Sequence, residues 1–152
     1  MFNKHYIKFI ITHKLFDILS SYLNTYLKNK LILICRNEYD KYLEDKYDFT
    51  TVEGIMNIPI PDYSNVKCST PCYNIEYNLN SRATTLKKTN PELAIACLRK
   101  ANEIYFHSNF VWQENNYMRI VEFLKDYGRF DEARAEKEFI EKNYLTPIKN
   151  QK

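Results

Sequence analysis

Apolar residues in this chain recur at three- and four-residue spacing, the period of a helix with one buried face. The pattern is sharpest over residues 90–105, NPELAIACLRKANEIY. Ala94, Leu98, Ala101 and Tyr105 make a stripe, Ile95 and Ile104 widen it, and Arg99, Lys100, Asn102 and Glu103 hold the other side. Asn90 is suited to cap this helix, because its side-chain oxygen can accept from an orphan N–H of the first turn. Pro91 follows at the first helical position, where the missing N–H costs nothing. Before it, Ile75, Leu79, Ala83 and Leu86 predict a helix from Thr70-Pro71 to Lys88, and the turn Thr89-Asn90 is short enough to make the two an antiparallel hairpin. A second hairpin is predicted further on. Tyr117, Ile120, Val121 and Leu124 mark a helix over residues 113–127, with Gly128 as its C-cap. Phe130, Ala133, Ile140 and Tyr144 mark the next, which carries acids in its first turn and is expected to stop at Thr146-Pro147.

The N-terminal half is less regular. Leu15, Leu19, Tyr22 and Tyr26, with Phe16, Leu23 and Leu27 beside them, predict a helix over residues 14–27. The run Leu31-Ile32-Leu33-Ile34-Cys35 fits a buried strand, or a helix continuing through Tyr39, Tyr42 and Leu43; the lack of a partner strand favours the helix. Over residues 48–69 the chemistry changes to Gly54, Pro59, Pro61, Asp62, Ser64 and Asn65, a largely extended linker whose Ile55, Ile58 and Ile60 are expected to pack on the helices. The pattern gives one all-α domain: an N-terminal basic and aromatic helical segment (1–47), an irregular linker (48–69), two hairpins (70–145) and a tail (146–152).

The hairpins resemble tetratricopeptide-type (TPR-like) repeats. Leu79, Ala83 and Leu86 match such a repeat's first helix, and Ala94, Leu98 and Ala101 its second. In the next hairpin Tyr117, Ile120, Val121 and Leu124 fit the first helix, and GRFDEA from Gly128 to Ala133 is similar to the familiar turn and second-helix opening. Ala94 and Ala133 lie 39 residues apart, beyond the roughly 34 of an uninterrupted repeat. Val121, Lys137 and Arg82 depart from the pattern. Two repeats rarely bury enough surface alone, so the N-terminal helices are expected to cap the stack. The resemblance implies an inner groove lined by first-helix residues not spent on packing: Tyr77, Asn80, Thr84 and Lys87, then Asn115, Met118, Glu122 and Lys125.

Composition bounds the rest. With 45% apolar and 27% charged residues over 152 positions the chain is globular, and 2 Gly leave little for an all-β fold. The 13 Tyr and 9 Phe, with many Asn, Lys and Ile, point to an AT-rich coding genome such as a bacterium or phage carries. The net charge of +3 hides an asymmetry: residues 1–36 hold six Lys/Arg against one Asp, a local +5. No apolar run approaches the roughly 20 residues of a membrane span, and Phe9-Ile10-Ile11 is too short for a signal core. The expectation is a cytoplasmic protein with no membrane partner and reduced cysteines.

No catalytic constellation is legible. Cys68 and Cys72 are separated by three residues, not two, and no second Cys/His pair lies close in sequence; structural thiols are the plainer reading beside a redox pair or a metal site drawing on Cys35, Cys97 and His107. His5, His13 and His107 have no relay partner beside them, and two distant glycines make no phosphate loop. Phe106, Phe110 and Trp112 are expected to plug the seam between hairpins, with a partner hot spot as the other reading. The expectation is a non-enzymatic protein- or peptide-binding module with no cofactor or metal. The alternative is a nucleic-acid-associated regulator using Lys4, Lys8, Lys14, Lys28, Lys30 and Arg36 on phosphates.

Overall fold

The structure, a computed structural model, describes residues 3–62, 74–108 and 112–149. All regular structure among them is helical. The N-terminal pair is α1 (Lys4–Leu19) and α2 (Thr25–Lys46), followed by the short α3 (Val52–Met56). Then come α4 (Ile75–Leu86), α5 (Pro91–His107), α6 (Glu114–Asp126) and α7 (Phe130–Ile140). A π-helical turn (Glu141–Leu145) leads from α7 into α8 (Thr146–Lys149).

Side-chain caps set several of the boundaries. Asn3 accepts from the backbone N–H of His5 and Tyr6, Asn24 from Leu27, Thr51 from Gly54 and Asn90 from Leu93. Each satisfies donors that a helix start leaves open. Gly128 adopts φ 73°, and the N–H of Arg129 reaches the carbonyl of Leu124 at 2.9 Å, closing α6 as a left-handed C-terminal residue should.

The core is organised on α5. It packs against α4 on one side, α6 on another and α3 on a third, while α7 packs on α6 and α1 on α2. Ala94, Cys97, Ala101 and Ile104 are fully buried, with Ile95 and Leu98 nearly so. The alanines let neighbouring backbones approach closely, and each buried Ile or Leu contributes about 1.5–3 kcal/mol. Facing them are Leu79 and Ala83 of α4 and Ile120 and Leu124 of α6, all fully buried. The segment around α3 inserts Ile55 and Ile58 into the same core. There the Lys100 ammonium is buried, donating to the Met56 carbonyl at 3.1 Å and to Glu103 at 2.8 Å.

Three expectations change. The helix expected over residues 14–27 is instead the end of α1, a turn and the start of α2, because Asn24 caps a new helix within the aromatic stripe. The linker holds a helical turn, α3, fastened by Asp48: its carboxylate accepts from the N–H and hydroxyl of Thr50 and from the hydroxyl of Thr51. Helical structure also continues past Pro147, since the wider π turn precedes it and a proline in a helix's first turn loses no intrahelical bond. The expected Thr70-Pro71 helix start lies outside the described residues.

Candidate functional site

α4 divides its side chains sharply. Ile75, Glu76, Asn78, Leu79 and Ala83 are buried, while Tyr77, Thr84 and Thr85 are exposed and Ser81 is half-buried beside them. The exposed set spans one helical face, and it forms the floor of a shallow groove. Two arginines from flanking helices lean over that floor. From α2, Arg36 donates Nη1 to the Tyr77 hydroxyl and Nη2 to Ser81 Oγ, both at 3.0 Å, with its guanidinium 4.6 Å from the Tyr77 ring centre. From α6, Arg119 donates Nη1 to Asn80 Oδ1 at 2.8 Å and Nη2 to Thr84 Oγ1. The space enclosed by Tyr77, Asn80, Ser81, Thr84, Thr85 and Arg119 is about 290 Å³.

Asn80 holds this arrangement in place. Its amide donates to the Glu76 carbonyl at 2.8 Å and to the Tyr105 hydroxyl, tying α4 to α5 while its oxygen receives Arg119. Burial, and then the nearby Glu76 carboxylate, push the Tyr105 phenol up to about 12, so it stays neutral at physiological pH. Tyr39 is pushed up by the same two causes. Glu76 itself is fully buried.

The local charges separate into two groups. Arg82 pairs with Glu44 at 2.8 Å, Lys125 with Glu122 at 2.8 Å, and Lys87 with Asp126 while lying 4.4 Å over the Phe123 ring. Arg36 and Arg119 form no ion pair among the described residues; their hydrogen-bond partners are a phenol, an amide and two hydroxyls. Both guanidiniums are half-buried. A larger space of about 480 Å³ lies by Met56, Glu103, Glu136, Phe139 and Tyr144, but its cations are already paired, Arg99 with Glu136 and Lys100 with Glu103.

Of the residues expected in a groove, Tyr77, Asn80 and Thr84 come together, and Lys87 sits at the end of the same helix. On α6, Asn115, Glu122 and Lys125 are exposed, whereas Met118 is half-buried against the core and does not turn away from it. The side chains of α6 that reach α4 are Arg119, Phe123 and Asp126. Sequence reasoning counted Arg36 among the basic N-terminal residues and not in the groove, and it missed Ser81 and Arg119. The signal for Arg119 was its place four residues after Asn115 and three before Glu122, on one helical face with both.

Other candidates separate. Lys4, Lys8 and Lys14 lie on α1 and Lys28 and Lys30 on α2, while Arg36 turns toward α4 instead of joining them. Trp112 packs on Tyr105 at 4.2 Å and donates to Ser108 Oγ at 2.7 Å, and Phe106 meets Tyr144 at 5.2 Å. Cys68, Cys72 and Phe110 lie outside the described residues. Cys35 and Cys97 are buried, and burial pushes the Cys97 thiol up to about 11. Among the described residues no three His, Cys, Asp or Glu side chains gather as metal ligands. No described helix is long and apolar enough to cross a membrane. No family model, curated protein or solved structure matches the chain.

Proposed function

We propose that this chain is a non-enzymatic, cytoplasmic binding module that holds an extended, carboxylate-bearing segment of a protein partner across α4. The observation that carries this reading is the pair of half-buried guanidiniums, Arg36 and Arg119, placed over one groove with only neutral partners. A guanidinium bonded to hydroxyls and amides still gains when a carboxylate arrives. The bonds to hydroxyls and the amide are charge-assisted on the donor side alone, whereas a carboxylate is ionised too and can take two parallel N–H groups of one guanidinium. Tyr77 supplies a rigid aromatic wall, and Ser81, Thr84 and Thr85 offer hydroxyls to a peptide backbone. The hairpins α4–α5 and α6–α7 fit a TPR-like reading, in which first helices line an inner face, and α4 and α6 are those first helices.

The test is fluorescence anisotropy with a pool of Asp/Glu-rich decapeptides and a matched Lys-rich pool. Binding of the acidic pool alone is expected. Arg119→Ala should weaken it at least about tenfold, one charge-assisted bond's worth, with the helical circular dichroism retained and only a modest fall in melting temperature from the lost Asn80 and Thr84 bonds. Equal binding of both pools, or full affinity in Arg119→Ala, overturns the reading.

A further inference from the structure

The N-terminal hairpin exposes far more apolar surface than the rest of the molecule. Of the sixteen large apolar side chains exposed among the described residues, eleven fall between Tyr6 and Ile34. α1 has no buried residue at all, although apolar side chains are spread around its whole circumference. One side of α1 is accounted for. Tyr6 stacks on Tyr42 at 4.8 Å, Phe9 on Tyr39 at 5.1 Å, and His5 meets Glu38 at 2.7 Å, so α2 covers that side. The opposite side carries Ile7, Ile11, Leu15 and Ile18, which are 42%, 54%, 46% and 67% exposed. At 100° per residue these four fall within one third of the helix circumference. A helix that is apolar on every side is one whose second side is also meant to be covered.

The charges beside this stripe indicate what covers it. Lys8 borders it along one edge and Lys14 along the other, while Lys4 stands at its N-terminal end, by the same helical geometry. None of the three forms an ion pair among the described residues. The acids of the hairpin are turned elsewhere: Asp17 to His13, Glu38 to His5, Asp40 to Asn78, Glu44 to Arg82 and Asp45 to Asn3. Beyond the end of the helix, Tyr22 and Tyr26 project 85% and 63% exposed.

We infer that the outer face of α1 docks on the surface of an anionic lipid bilayer. Four aliphatic side chains enter the boundary between headgroups and acyl chains, while the lysines reach outward to lipid phosphates. Tyr22 and Tyr26 suit the headgroup level, where a ring with a polar tip is favoured. A second copy of the chain is a poor occupant, because self-pairing would set lysines against lysines with no acid between them. A nucleic acid satisfies the lysines but leaves the aliphatic stripe against a polar, hydrated backbone. This surface is distinct from the α4 groove and does not depend on its ligand. It is also distinct from membrane spanning, which concerns apolar runs far longer than this stripe.

The experiment is co-sedimentation of the full chain with large vesicles of phosphatidylcholine alone, or with about one third phosphatidylglycerol. Sedimentation with the anionic vesicles only is expected, and it should fall as salt is raised from about 0.1 M to 0.5 M. Lys8→Glu with Lys14→Glu, and separately Ile11→Glu with Ile18→Glu, should each reduce it at least about tenfold. All four side chains lie on the outer face, so the helical circular dichroism should be retained. Absence of sedimentation, or equal sedimentation with neutral vesicles, overturns the inference. So does light scattering that shows a dimer lost in Ile11→Glu/Ile18→Glu, which would assign the face to a second copy. Retardation of duplex DNA without vesicle binding would assign the lysines to nucleic acid and overturn it as well.

Discussion

Gly54 has no room for a side chain. A Cβ there would lie 2.5 Å from the Asp48 carbonyl oxygen and 2.6 Å from its carboxylate. The same Asp48 carboxylate organises the turn before α3 through Thr50 and Thr51, and those hydrogen bonds hold it below the usual carboxylate range. Gly54→Ala should therefore push α3 off the core and destabilise the fold by about 1–3 kcal/mol, read as a fall in the urea midpoint. An unchanged midpoint would mean that Asp48 yields freely. Ala94 and Ala133 are limited in the same way by helices packed against them, being 0% and 3% exposed. Ala94→Leu and Ala133→Leu should each cost about 1–3 kcal/mol by overpacking. At this scale the sequence was informative wherever one residue type has one physical reason to be present: Asn90 before Pro91, Gly128 after α6, alanines on a core stripe. It did not give the groove roles of Arg36, which was grouped with the N-terminal lysines, or of Arg119, because an arginine on a helix face looks the same whether it meets solvent, a carboxylate or a hydroxyl on another helix.

The elements differ in how they are held. α5 is fixed by burial from three sides, whereas α1 rests on α2 through rings and a few polar contacts, the His5–Glu38 contact among them. The hydrogen bond from His5 holds the Glu38 carboxyl below its ordinary value of 4.5, opposed by partial burial and helped by Lys41 and Lys8. A carboxylate lowered in the folded state contributes stability that is fully present above its ordinary pKa and lost as pH falls through the lowered one. Glu38→Gln should accordingly lower the thermal midpoint at pH 7, and the gap from the unaltered protein should close as pH falls below about 4. A gap of constant size down to pH 3 would contradict this account of the α1–α2 contact. The N-terminal boundary was illegible for a related reason. Leu15, Leu19, Tyr22 and Tyr26 keep helical spacing across a turn that Asn24 makes by capping, and a continuous stripe gives no sign of a break. α5 was legible because Asn90 and Pro91 mark its start, and α6 because Gly128 closes it.

At the scale of the molecule, α5 is at the centre because α3, α4 and α6 all pack on it, and α4 keeps an outward face between Arg36 of α2 and Arg119 of α6. The all-helical class followed from periodicity, and three of the expected groove residues do share one floor. The walls of that groove did not follow, because they depend on how α2 and α6 approach α4, a tertiary fact with no local signal. Trp112 provides an internal control. It packs on Tyr105 behind the groove, so Trp112→Ala should lower the melting temperature first and binding only secondarily. The most direct measurement is a two-dimensional ¹⁵N–¹H NMR titration of the full chain with an Asp/Glu-rich decapeptide bound in the anisotropy assay. The predicted result is shifts clustered at Tyr77, Ser81, Thr84 and the Arg36 and Arg119 side-chain signals, with α1 and the Trp112 indole unmoved. Shifts centred on Trp112 or α1, with the α4 signals unchanged, would contradict a peptide site across α4.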